Sequence, residues 1–175
     1  LQLESSDGFI NLLERRVDVA IRIGELADSS LRALPLGSSR LRILAAPAYL
    51  ARCGTPVLPA DLAQHQLLGF STSDNLNLWP LMGEHGDRLP IQPQLKASSG
   101  ETLRQLALAG EGLVCLSDFM TASDRASGAL VEVLARSNSG ASRPIHAVFY
   151  TDAQRDPRLR AWLDFLRDKL TPGAL

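Results

Sequence analysis

The residues of this chain best able to do chemistry are hydroxyls and guanidinium groups standing next to glycines. Ser98-Ser99-Gly100-Glu101 sets two hydroxyls and a glycine ahead of a helix-forming run. Amides at a helix amino-terminus carry partial positive charge and attract anions, so Ala97, Ser98, Ser99 and Gly100 form a candidate anion contact. Ser98 and Glu101 also stand in capping-box spacing; the hydroxyls are therefore open to two readings, ligand contact and helix capping. Three further stretches invite the same kind of question. Ser5 and Ser6 offer hydroxyls ahead of Asp7, itself a plausible N-cap. Arg22-Ile23-Gly24 offers a guanidinium for a carboxylate beside a glycine that lets the backbone turn, or else a solvent-facing arginine at a strand end. Ser117-Asp118-Phe119 offers an aromatic wall for an apolar ligand, or else a core phenylalanine.

Patterns for catalysis and metal binding do not occur. The sequence holds no Gly-x-Ser-x-Gly elbow, no His-x-x-x-His pair and no phosphate loop, and Gly110-x-Gly112 lacks a third glycine. His65, His85 and His146 are isolated, and Cys53 and Cys115 lack metal-ligand or disulfide spacing. A Ser-His hydrolase would need a serine within hydrogen-bond reach of His65 or His146. The chain is accordingly expected to be neither an enzyme nor a cofactor or metal carrier. Eighteen Lys and Arg against nineteen Asp and Glu leave a formal charge of −1, which argues against a nucleic-acid surface, because phosphate neutralisation needs clustered cations. No apolar run reaches the roughly 18–20 residues of a membrane span, and no export signal is visible.

The elements that must position these residues alternate between strand and helix. Residues 1–5 alternate like a short strand, 9–16 suit a helix, and Val17, Val19, Ile21 and Ile23 share one face of a strand ending at Gly24, giving a parallel crossover unit. Residues 31–36 and 41–46 predict two extended stretches split by a turn at Gly37-Ser38-Ser39. A short helix follows Pro47, a helical turn spans 59–62, and 67–70 is a short buried strand. Residues 71–86 hold one strand and a turn at 83–86, and 89–97 alternate as a strand. A helix runs from the Ser98 region to Gly110, a strand covers 113–116, a helix 119–127 and a strand 130–134. Residues 137–142 have the composition of a linker, 145–150 form a strand, and a final amphipathic helix starts after Asp156-Pro157 with Leu159, Trp162, Leu163, Leu166 and Leu170 at helical spacing. Trp79 and Trp162 suit core or interface anchors. The fold class is α/β.

The order of Val17-Asp18-Val19-Ala20-Ile21-Arg22-Ile23-Gly24, Ala46-Pro47-Ala48-Tyr49-Leu50, Pro59-Ala60-Asp61-Leu62 with His65, Ser98-Ser99-Gly100-Glu101 and Leu116-Ser117-Asp118-Phe119 resembles that of LysR-type transcriptional regulators across nearly the whole chain. The part it resembles is the carboxy-terminal effector-binding domain. The resemblance implies two Rossmann-like subdomains joined by two crossing strands, as in periplasmic binding proteins, here residues 1–44 plus 146–175 and residues 45–145. It implies a small-molecule effector, expected to be a carboxylate, in the cleft between them, contacted by Ser5, Ser6, Arg22, Ile23, Gly24, Ala97, Ser98, Ser99, Gly100, Ser117, Asp118 and Phe119. It further implies a cytoplasmic, bacterial homo-oligomer with side-by-side antiparallel effector domains, tetrameric in the full-length protein, touching DNA only through a separate amino-terminal domain. The family pattern has a strand and a helix ahead of Leu1, and with no methionine at its start the chain reads as a fragment. A transport-type solute-binding protein of the same architecture is the alternative.

Overall fold

The computed structural model describes residues 2–4, 12, 17–26, 31–83, 86–150 and 156–169. The chain divides into two compact units. The larger holds Arg40–Ala141 with the described residues of Leu1–Gly8; the smaller holds the described residues of Phe9–Ser39 and Ser142–Leu175.

In the larger unit the sheet is built on the carboxyl half of β2 (Arg32–Ala45), which runs antiparallel to β7 (Leu113–Ser117), with Leu41 opposite Ser117 and Leu44 opposite Val114. On its far side β2 takes β8 (Val131–Glu132). Beyond β7 come β3 (Leu67–Phe70) and β6 (Leu95–Ala97), both parallel: Leu67 pairs Leu113, and Phe70 pairs Ala97. Residues of β7 are buried throughout and alternate between two cores. Leu113 and Cys115 join Ile43, Tyr49, Leu62 and Trp79 on one face, while Val114 and Leu116 join Leu44, Leu68, Leu103 and Ala107 on the other. Continuous apolarity with helices on both faces is what a sheet buried on both sides requires. The first face is covered by α1 (Pro47–Cys53), begun by Pro47, and by a 3-10 turn at Pro59–Gln64. The second is covered by α2 (Gly100–Leu108) through Leu103 and Ala107, four residues apart and fully buried. A small hairpin joins β4 (Leu78–Trp79) to β5 (Leu89–Pro90), and α3 (Asp118–Ser127) follows β7 without a break.

In the smaller unit β1 (Ala20–Ile23) is antiparallel to β9 (Ser142–Phe149), with Arg22 opposite His146. The strand and helix expected to form a parallel crossover unit with β1 fall largely outside the described residues. α4 (Pro157–Lys169) packs Leu159 and Leu163 against Ile145, Ala147, Phe149 and Leu36. Asp156 begins it, its carboxylate accepting from the Arg158 amide at 2.8 Å.

Several expectations are corrected. Gly37 does not turn: at φ 151° it is carried inside the 14-residue β2, and Ser39 is buried. Residues 2–4 form no strand, and Leu3 is 90% exposed. Ile21 and Ile23 share a face as their spacing demands, but that face is 45–46% exposed. The strand expected over 89–97 breaks into β5 and β6, because Pro90 and Pro93 cannot donate to a ladder. The strand expected over 130–134 shrinks to two residues as Leu134 turns to φ 55°. The linker-like segment is pinned: Asn138 is buried, its amide donates to the Leu41 carbonyl at 3.0 Å, and its side-chain oxygen accepts from the Gly140 amide at 2.9 Å. The expected helix over 9–16, apart from Leu12, lies outside the described residues.

Candidate functional site

The carboxyl ends of β3, β6 and β7 lie on one edge of the larger unit because the three strands are parallel, and open α/β sheets hold ligands at that edge. β6 ends at Ala97, followed by Ser98, Ser99 and Gly100 at the start of α2; β7 ends at Ser117, followed by Asp118 and Phe119. Sequence reasoning selected these two loops and missed the third. β3 ends at Phe70 and continues into Ser71, Thr72 and Ser73, three exposed hydroxyls, with the Ser71 amide bonded to the Ala97 carbonyl at 3.0 Å. The same carboxyl-end rule applied to the predicted strand at 67–70 would have found it. The loop is fixed from below by Asn77, whose side chain accepts from the Phe70 amide at 2.8 Å and donates to its carbonyl at 2.9 Å.

At the start of α2 the N-cap is Ser99, not Ser98, and its side chain makes no cap hydrogen bond. Glu101 therefore occupies the second helical position, out of register for a capping box. Its carboxylate instead accepts from Gln105 and from Arg104, each at 2.8 Å, and these donors hold its pKa below the ordinary glutamate value, the Gln105 bond most of all. The negative charge of the first turn is thus drawn along the helix toward Arg104, which Glu101 shares with Asp124. Gly100 is closely packed: a Cβ there would lie 3.0 Å from the methyl at the flexible end of Met120 of α3 and 3.7 Å from the Phe70 ring.

One salt bridge ties α2 to α3 at this edge, and others tie α3 to β2 and β2 to β8. Arg104 grips Asp124 with two bonds, Nε to Oδ2 at 2.6 Å and Nη2 to Oδ1 at 2.7 Å, and Asp124 is buried. These bonds raise the Arg104 pKa above its ordinary value, so the guanidinium stays charged. Asp118 accepts from Arg42 of β2 and from Arg125 of α3, and Arg42 also donates to Glu132 of β8. The Asp118 carboxylate is thereby committed to two guanidiniums. Ser117 is buried as the residue before α3, and Phe119 is 36% exposed. Arg22, Ile23 and Gly24 belong to the smaller unit: Arg22 is half-buried, Ile23 exposed, and Gly24 takes φ 107° with its amide bonded to the Pro144 carbonyl at 2.8 Å. Ser5 and Ser6 lie outside the described residues.

His65 is a buried structural residue. Its Nδ1 meets the Tyr49 hydroxyl at 3.1 Å, and that hydroxyl accepts from the Gln66 amide at 2.9 Å; burial raises the tyrosine pKa. No hydrogen bond reaches Nδ1 of His146. Among the described residues no group of three His, Cys, Asp or Glu side chains could hold a metal ion, and no helix is long and apolar enough to cross a membrane.

The LysR substrate binding domain model matches residues 1–171. The chain belongs to the LysR substrate-binding domain family. It is 49% identical over 170 residues to the HTH-type transcriptional regulator CrgA of Neisseria meningitidis serogroup B, which covers 97% of this chain and 57% of that protein. The chain thus spans little more than half the length of this curated relative. The solved CrgA regulatory domain superposes with a TM-score of 0.89 at 49% identity, over 94% of this chain and 81% of that one. The effector domain of AmpR from Pseudomonas aeruginosa, at 22% identity, TM-score 0.80 and coverage of 99% and 82%, shares the fold. The architecture is the periplasmic-binding-protein-like one of LysR effector domains, and the chain is an effector-binding domain of the LysR type.

Proposed function

We propose that this domain senses a small carboxylate-bearing metabolite and passes its occupancy to a transcriptional regulator of which it forms part, without catalysis. The observation that supports this most is the start of α2. Ser99 is the N-cap yet spends no hydroxyl on the helix, and the Glu101 charge is pulled away by Gln105 and Arg104. An uncapped helix start with an idle hydroxyl beside it suits an anion far better than the capping reading does. In this reading Ser98, Ser99 and the first amides of α2 hold the carboxylate, and Ser71, Thr72 and Ser73 select polar substituents. Phe119 lines an apolar portion. Asp118 positions its loop through Arg42 and Arg125 rather than touching the ligand. Arg22, Ile23 and Gly24 stay in the proposal as further effector contacts.

A ligand alters a regulator only by binding one of its states more tightly than another, so the metabolite shifts a population rather than starting a reaction. DNA contact through a separate domain, antiparallel pairing, tetramer formation and a cytoplasmic location come with the family and belong to the longer protein in this proposal. The test is a thermal-shift screen of the chain against aliphatic and aromatic acids, amino acids and sugars. Ligand at 100 times its Kd stabilises by about 2.7 kcal/mol. A saturable shift confined to carboxylates is the expected result; a hit list of sugars alone, or no hit, overturns the carboxylate reading.

A further inference from the structure

We propose that Asn77 sets the ligand preference of the edge between β3 and β7 without touching the ligand, and that the preference is for a carboxylate with a hydroxyl close to its acid group. This rests on the carboxylate reading of the α2 start. The ladder between β3 and β7 runs from Leu67 opposite Leu113 to Leu68 opposite Val114 and stops there, although β7 continues to Ser117. On its other side β3 stays paired to its end, with Phe70 opposite Ala97 and the Ser71 amide on the Ala97 carbonyl. Successive strand residues direct their backbone groups to alternate neighbours. The amide and carbonyl of Phe70 therefore face the β7 side, and the Asn77 side chain takes both, at 2.8 and 2.9 Å. One carboxamide thus stands where a strand would, and the end of β3 is held off β7.

Asn77 is fixed in that place. It is buried, and its carbonyl accepts from the Ile91 amide at 3.0 Å. Gly69 leaves it room: a Cβ there would lie 2.6 Å from Asn77 Oδ1 and 2.6 Å from Cγ of Pro93. From β3 the chain moves to β6 on one side, whereas from β7 it passes through α3 to β8 on the other. Neighbouring parallel strands whose loops leave in opposite directions mark the crevice where open α/β sheets hold ligands. At its β3 rim stand Ser71, Thr72 and Ser73, all exposed. Ser71 and Ser98 follow the paired residues Phe70 and Ala97 on neighbouring strands, which lie about 4.8 Å apart. A carboxylate held at Ser98 and Ser99 therefore brings a hydroxyl on its second or third carbon within reach of Ser71 and Thr72. Serine and threonine hydroxyls both donate and accept, as a hydroxyl ligand requires.

The experiment is NMR titration of the isotope-labelled chain with glycerate and with propionate, acids of equal charge and carbon number that differ in their hydroxyls. Glycerate is expected to bind about tenfold more tightly, as two added hydrogen bonds allow. Asn77→Ala should weaken glycerate alone, bringing the two acids within about twofold, and should lower the order parameters of the Ser71–Ser73 amides from about 0.85 to below about 0.6. Asn77→Asp keeps the acceptor for the Phe70 amide and should fall between parent and alanine variant. Ser71→Ala with Thr72→Ala alters only exposed side chains and should also erase the preference, which keeps the test valid if the Asn77 variants fail to fold. With the carboxylate reading intact, the proposal is overturned if the parent binds both acids equally, or if the Ser71 and Thr72 substitutions leave the preference unchanged. It is equally overturned if Asn77→Ala weakens both acids alike, which makes Asn77 a purely structural residue. If neither acid binds the parent chain, the carboxylate reading falls and this preference falls with it.

Discussion

Replacing Ser99 by alanine separates a capping serine from a ligand serine, because the two roles predict opposite results in two assays. An N-cap serine that bonds the first turn loses about 1 kcal/mol, within a range of about 0.5–2, when changed to alanine. Ser99 has the extended N-cap backbone, φ −108° and ψ 132°, but makes no cap bond. The expected loss on Ser99→Ala is therefore under about 0.5 kcal/mol, the level of a surface substitution. For a chain of this size 1 kcal/mol corresponds to about 2–4 °C in Tm, so the unliganded variant should melt within about 1–2 °C of the parent. With an effector from the screen present the outcome should differ. A hydrogen bond to a charged group contributes about 1.5–3 kcal/mol, so binding should weaken about tenfold or more. Differential scanning calorimetry and titration calorimetry on the same two proteins read both quantities. A drop of about 3 °C without ligand, together with unchanged affinity, would refute the argument and return Ser99 to the helix.

Asn138→Ala should destabilise by about 2 kcal/mol, since it strips the Leu41 carbonyl and the Gly140 amide of their partner at a buried position; a urea midpoint equal to the parent's would contradict this. Arg104→Met leaves buried Asp124 unpaired and should cost about 2–3 kcal/mol, and adding Asp124→Leu should recover part of that loss because no orphaned charge then remains; no recovery in the double variant counts against the clasp. Asp61 accepts from the Leu58 and Val57 amides at 2.8 Å each, which hold its pKa below the ordinary aspartate value. A carboxyl depressed on folding adds stability above its unfolded value, about 3.9, and loses it as pH falls through the lower folded value. Asp61→Asn should thus flatten the acid side of the stability profile and leave its slope near pH 8 unchanged, as followed by denaturant unfolding from pH 2 to 8.

Local patterns carried much of this fold. Leu159 and Leu163 spaced by four, with proline at the first helical position, specify α4 wherever it docks, and the apolar run at 113–116 specifies a buried strand. The order of short motifs pointed to the family. Patterns failed where a residue type has two uses and a distant partner chooses between them. Gly37 with two serines has the composition of a turn, yet β9 beside the amino half of β2 and β7 beside the carboxyl half keep the strand running through it. Ser, Asn and Gly at 137–142 look like a linker until the Asn138 amide finds the Leu41 carbonyl, 97 residues away.

At the candidate site the sequence by itself determined which loops are rich in hydroxyls and where helices begin, because both follow from residue type and near-neighbour spacing. Only the tertiary structure decided which groups remain available. The cap falls on Ser99 rather than Ser98, so Glu101 is out of register and turns to Gln105 and Arg104. Asp118 is taken by Arg42, 76 residues earlier in the chain, through the antiparallel pairing of β2 and β7. The Ser71 loop, at the end of the strand expected over 67–70, is set beside the other two by the parallel pairing of β3 with β6 and β7. Hydrogen bonds and ion pairs act over a few ångströms, so whether a polar group is spent or free depends on which distant strand the fold sets beside it.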